Sequence, residues 1–397
     1  MARRTHVRIR VLGRALSPVG SDFVSVEVLG GLVLLAATVA AFVWANVWAG
    51  SYDAFWARVL TIGPERFGVS EDLRHWVNDG LMAVFFFVVG MEIKRELVRG
   101  ELRDRRAASL PVLAAFGGMV VPAVLFLAVN AGDAGRRGWA IPMATDIAFA
   151  VVVLAMLGAR VPKQLKLFVL TLAIVDDIGA IVVIAVFYSE GIAFGWLLGA
   201  VAAIAVIVVM QRVGVGHPIV YVVPALVLWL CTWESGVHAT IAGVALGLLT
   251  PARPFGGHEV IESLERRLHP WSSFLVIPVF ALANAGLRLD AAAIERAATS
   301  RIAWGIIVGL VLGKPLGIIT ATVLGVRFRA GRLPDGLSYR HVIGVGCVAG
   351  IGFTVSLFVA DLSFVGGALE DAKIGILAAS LVSATLGGAL LRQMLKR

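Results

Sequence analysis

The sequence predicts an all-α membrane protein of about twelve transmembrane helices. Three observations predict it. Of 397 residues, 59% are hydrophobic and only 15% are charged, with a mean hydropathy of +0.90. A soluble chain of this length cannot bury that much apolar surface. The apolar residues gather into runs close to the ~20 residues that a helix needs to cross the hydrocarbon core. The basic residues between those runs fall mainly on one side.

Met1–Pro18 is basic and shows no removable leader pattern; the run after it, Val28–Trp48, is long enough to span. Ser51–Arg74 is the longest outer segment, mixed in aromatics and charges. The second run, Trp76–Ile93, opens on Asn78 and Asp79, which read as caps of its first turn. Ala107–Val129, Trp139–Leu157, Leu165–Tyr188 and Ala193–Met210 follow. Pro218–Trp233 and Val237–Leu249 are short and separated only by Glu234-Ser235-Gly236; counting them as one span would reverse everything downstream. Pro251–His269 is a connector in which Glu259–Arg267 reads as a short helix. The last four runs are Trp271–Leu287, Ile302–Val323, Val342–Ala360 and Ile374–Leu391.

With twelve spans and both ends inside, 25 of the 35 Lys and Arg residues fall on inner segments and 9 on outer ones, Lys314 being the remaining one. That asymmetry obeys the positive-inside rule. It also accounts for the net charge of +9 through membrane topology, without nucleic acid as a partner. Cys231 and Cys347 lie in or beside apolar runs and read as small core residues. No loop is large enough to be a separate catalytic domain, which argues against an enzyme.

Four ionisable groups lie deep in the predicted spans: Asp146, Asp176, Asp177 and Lys314. A charge at the centre of a spanning helix costs about 2.5–3.5 kcal/mol on insertion scales. Two adjacent carboxylates add mutual repulsion. No packing need explains that expense, whereas a wet path for a cation or proton does. Lys314 is the only deep cation and pairs naturally with one of the three aspartates, or serves as a structural partner alone. The remaining negative charge and oxygen ligands suit a hard cation such as sodium.

Pro142 interrupts the fourth run just ahead of Thr145 and Asp146, and Gly344, Gly346, Gly350 and Gly352 weaken the eleventh. Two interrupted spans in corresponding places point to a transporter built from inverted repeats. The repeats would be runs three to five (residues 107–190) and ten to twelve (residues 301–397). Residues 1–106 and 191–300 would form the interface or scaffold parts. Broken helices expose dipole ends near mid-membrane, which Asp146 and Lys314 are placed to offset. Gly305, Gly309, Gly313 and Gly317 form a ridge of small residues that lets another helix approach closely.

The segments Ala144-Thr145-Asp146-Ile147-Ala148-Phe149-Ala150, Ala173-Ile174-Val175-Asp176-Asp177-Ile178-Gly179-Ala180 and Gly313-Lys314-Pro315-Leu316-Gly317 resemble the signatures of the NhaA family of sodium/proton antiporters. The likeness continues through Asn78–Phe86, Gly236–Thr240 and Gly350–Thr354 and covers nearly the whole chain. The resemblance implies a twelve-helix fold with crossing, broken fourth and eleventh helices in a bacterial cytoplasmic membrane. It implies electrogenic, pH-regulated exchange of cytoplasmic sodium for external protons, with lithium as an alternative substrate and no cofactor. Asp177 would be the main sodium and proton site, helped by Asp146 and Thr145. Asp176 would pair with Lys314 and exchange protons. The pH-sensing cluster would fall on Glu92, Arg95, Glu96 and Glu265. The resemblance also implies a homodimer touching through Ser51–Arg74.

The chain departs from the family pattern twice. Arg266 stands where the family has a histidine, and Asp361 where it has a neutral residue. The structural readings are plain enough. Thr145 could hydrogen-bond the backbone of a bent helix, Glu92, Arg95 and Glu96 have ordinary helical salt-bridge spacing, and His238 reads as a satisfied core residue. The alternative function is a proton- or sodium-coupled carrier of a small organic solute. An intramembrane aspartyl protease lacks its Gly-x-Gly-Asp segment here, and a channel would show single-channel currents.

Overall fold

The computed structural model describes residues 18–63, 68–132, 134–189, 191–252, 254 and 259–395. Of the charge count, Arg3, Arg4, Arg8, Arg10, Arg14, Arg66, Arg253, Lys396 and Arg397 lie outside the described residues, as do both chain ends.

The elements run in chain order as α1 (Pro18–Val47), α2 (Ala49–Trp56), strands β1 (Val59–Ile62) and β2 (Val69–Asp72), α3 (Met82–Val98), α4 (Arg105–Val129), α5 (Ile147–Met156), α6 (Lys163–Phe187), α7 (Phe194–Arg212), α8 (Val222–Glu234) and α9 (Thr240–Leu249). Then come α10 (Val260–Trp271), α11 (Ile277–Asn284), α12 (Ala291–Thr299), α13 (Arg301–Arg327), α14 (Tyr339–Ala349), α15 (Phe353–Ser363) and α16 (Gly366–Met394). Among the described residues six helices are long and apolar enough to cross a bilayer, or up to eight if each of two bent pairs is one span. The chain is an all-α membrane protein. The predicted total of twelve crossings exceeds what helix length and composition establish. The seventh and eighth runs are short helices, and the second and ninth carry π-helical turns at Trp76–Leu81 and Ser272–Val276. α8 and α9 are separate, with a turn at Gly236, whose φ of +79° suits glycine.

Polarity is distributed as a bilayer demands. Phe116, Phe194, Leu198 and Leu381 are exposed, while Lys314, Asp176 and Asp146 are buried. In water that order would be reversed. With little hydrophobic drive between helices in lipid, close backbone packing must hold them. The predicted glycine ridge of α13 does this against α4. A Cβ at Gly317 would lie 2.1 Å from the Gly117 carbonyl oxygen, and one at Gly313 would lie 2.9 Å from Pro122 Cα. α9 seats on α3 in the same way, through Gly243 and Gly247.

Two local expectations need correction. Ser51–Arg74 contains an antiparallel hairpin, β1 with β2, in the register Val59↔Asp72 to Ile62↔Val69. Alternation of Thr61 and Ser70 with apolar neighbours was too short a signal to read. Asn78 is not a cap; Asp72 accepts from His75 N at 2.8 Å and does that work. Lys373 is buried on α16. Glu27 lies within α1. His238 is satisfied as expected, with Nε2 2.9 Å from the Tyr188 carbonyl oxygen.

Candidate functional site

The fourth run breaks because Pro142 offers no amide to the helix. A 3₁₀ segment, Ala134–Met143, gives way to extended backbone at Asp146, and α5 starts again at Ile147, bent by 42°. The eleventh run breaks at Gly350–Gly352 between α14 and α15, bent by 48°. The two breaks touch: Asp146 N donates to the Ile351 carbonyl at 2.6 Å. Free helix ends therefore face each other in the interior.

Asp146 answers the N-terminal ends. Its Oδ1 accepts from Phe149 N at 3.0 Å, in the first turn of α5. Its Oδ2 accepts from Thr354 N at 2.9 Å and Thr354 Oγ1 at 2.7 Å, in the first turn of α15. One carboxylate thus caps two half-helices, where negative charge is favoured. Lys314 answers the opposite polarity by donating from Nζ to the Met143 carbonyl, at the end of the 3₁₀ segment. The same ammonium bonds Asp176 Oδ2 at 2.6 Å, and both side chains are fully buried. A π-helical turn at Gly309–Gly313 and then Pro315 flank Lys314. Thr145 Oγ1 lies 2.6 Å from Asp176 Oδ2 and 3.0 Å from the Ala349 carbonyl. With one hydroxyl proton it serves one acceptor at a time.

Asp177 stands apart. Among the described residues its carboxylate makes no hydrogen bond or ion pair. It lines a cavity of about 90 Å³ with Asp146, Thr145, Glu27, Glu92 and His269. That is room for a few waters at roughly 30 Å³ each. Asp176 Oδ1 is buried without a partner.

The residues expected to sense pH also converge. Arg95 donates to Glu265 on α10, lies 3.3 Å from Glu96 and 3.9 Å from Glu92. Arg99 joins Glu262 and lies 3.6 Å from Glu259. Burial pushes the Glu265 carboxyl up, with the Arg95 charge opposing. Burial pushes the His269 imidazole down, and Arg95 adds to that. No group of three or more His, Cys, Asp or Glu residues suited to a resident metal occurs among the described residues.

Sequence reasoning missed Glu27 and Thr354 as site residues. The signal for Glu27 was an acid in an otherwise apolar stretch, hidden because the run was begun one residue later. Thr354 stood in a quoted motif, two residues after Gly352, but nothing in one sequence says that it faces Asp146.

The family model for Na+/H+ antiporter 1 matches residues 21–391. The Na+/H+ antiporter NhaA of Cronobacter sakazakii (strain ATCC BAA-894) is 48% identical over 381 residues, covering 94% of this chain and 97% of its own. The protein of the same name from Escherichia coli O1:K1 / APEC is 45% identical over 94% of this chain and 98% of its own. Na+/H+ antiporter NhaA 2 of Sorangium cellulosum (strain So ce56) is 45% identical over 94% and 89%.

Proposed function

Given that the chain belongs to the NhaA family of sodium/proton antiporters, which are transporters and not enzymes, we propose that it exchanges sodium for protons at Asp177 by alternating access. The observation that carries this reading is the contrast among three buried carboxylates. Asp146 is held by three donors, Asp176 by Thr145 and Lys314, and Asp177 faces the cavity unengaged. A proton or a sodium ion neutralises Asp177, and the two guests exclude each other because they seek the same oxygens. Asp146 and Thr145 line the same cavity and supply neighbouring oxygens. Asp176 and Lys314 form the charge pair beside the site, through which a proton can also pass.

In this reading the chain has twelve spans, and two inverted repeats of three spans each, residues 107–190 and 301–397, carry the breaks. Residues 1–106 and 191–300 form the scaffold, and both termini are cytoplasmic. The end with Glu92, His269 and the connector is then the cytoplasmic one, so the cavity is the inner approach to Asp177 and Glu27 lines it. Entry of more positive charge than leaves would couple the exchange to membrane potential, worth about 2.3 kcal/mol per charge at 100 mV. Lithium, a hard cation of the same charge, is an alternative substrate. Glu92, Arg95, Glu96 and Glu265 set the activating pH.

In inverted vesicles holding an acid interior, added sodium or lithium should release the trapped protons, read by a pH-gradient dye, and potassium should not. Release only on addition of an organic solute would favour a coupled solute carrier instead.

A further inference from the structure

The end of the molecule away from Glu92 and His269 carries two layers of contacts, built by α11, α15 and the continuous stretch of α3 with the π-helical turn ahead of it. In the inner layer the rings of Phe86 on α3 and Phe280 on α11 flank Phe358 on α15, with centroids 5.6 and 6.2 Å from it. About one turn further along, Asn284 and Asp361 meet Asn78, which lies in the π-helical turn ahead of α3. Asn78 Nδ2 donates to Asp361 Oδ2 at 2.6 Å, and Asn284 Nδ2 donates to Asn78 Oδ1 at 2.7 Å. Asn284 and Asn78 are 0% and 4% exposed, so their amides lose these partners to water only through an opening movement, while Asp361 is half-buried. A carboxylate acceptor makes the Asn78 bond roughly twice as strong as a neutral one.

α15 joins these layers to the site. Thr354, which grips Asp146, stands in its first turn. Asp361 follows on the same face two turns later, about 10 Å along the axis. The helix is therefore held at one end by the ion site and at the other by the scaffold. We propose that Asp361 is a positioning residue of the transport cycle: its bond to Asn78 pins the outer half of the second broken helix and must be released before the site opens to the outside. This rests on the alternating-access reading above.

The test uses the full chain with Cys231 and Cys347 changed to alanine and a probe cysteine at Val355, which lines the cavity. Right-side-out vesicles are treated with a membrane-impermeant thiol reagent, so labelling reports opening to the outside. Asp361→Ala should raise the labelling rate about tenfold, the population shift expected from losing one hydrogen bond to a charged group. KM for cytoplasmic sodium should stay within about twofold, since a tenfold gain in a minor outward-facing state removes little of the inward-facing one. Asp361→Asn keeps an acceptor and should change labelling far less. Asn78→Ala breaks the same bond from the other side and should match Asp361→Ala, which decides the case if that variant does not fold. Labelling within twofold of the parent in folded Asp361→Ala or Asn78→Ala overturns the proposal. Failure of sodium-driven proton release in the parent would count against antiport, whereas the labelling ratio alone decides the pin.

Discussion

Lys314 shows what a single residue does here. Its ammonium has two acceptors, Asp176 and the Met143 carbonyl, and no exposure. Two charges are thereby taken from water and returned to each other, an arrangement that tolerates loss of neither partner. Lys314→Ala leaves a buried carboxylate beside the unsatisfied end of a half-helix. It should destabilise the protein by about 3–5 kcal/mol, read as a lower thermal midpoint in detergent, whatever its effect on transport. An unchanged midpoint would mean that Asp176 is not held charged by this lysine. The aspartates and the lysine were legible in the sequence because insertion costs make deep charges conspicuous. Their division of labour was not. Asp176 and Asp177 are neighbours of identical chemistry, and only the packing of Thr145 and Lys314 against the first leaves the second facing the cavity.

Among the elements, α10 carries titratable groups against the helix that approaches the site. It docks on α3 through Arg95–Glu265 and Arg99–Glu262. The Glu265 carboxyl is pushed above the usual range by burial, against the pull of Arg95, with Glu262 and Glu96 adding to the rise. A raised value keeps the acid neutral to higher pH. As pH climbs through it, the carboxyl ionises and the pair with Arg95 gains its full charge. Glu265→Gln holds α10 in the neutral state and should move the activation of exchange to higher pH in the dye assay. A superimposable pH profile would remove Glu265 from regulation. The breaks themselves were legible from Pro142 and from the glycines of the eleventh run. Their mutual contact, Asp146 N to the Ile351 carbonyl, joins residues about two hundred positions apart and leaves no trace in local pattern. The hairpin β1–β2 was invisible for a related reason, since two four-residue strands carry too few alternations to stand out from a mixed loop.

On the scale of the whole molecule, the hairpin presents Val59, Leu60 and Ile62 as exposed apolar side chains. An open strand edge of this kind invites pairing with another strand, and we propose a second copy of the chain as its partner, through Ser51–Arg74. Deleting residues 59–72 should convert the detergent-solubilised protein from dimer to monomer by sedimentation, with the ion site intact. A deletion variant that remains dimeric would place the interface elsewhere.

The account depends most on rivalry between two guests at Asp177, and sodium binding to the purified protein measures that rivalry directly. Calorimetric titration with sodium at several pH values should release protons, and each unit fall in pH should weaken binding about tenfold per proton displaced. Asp177→Asn should show neither heat of binding nor proton release. Sodium affinity that is independent of pH, or that survives intact in Asp177→Asn, would contradict the account.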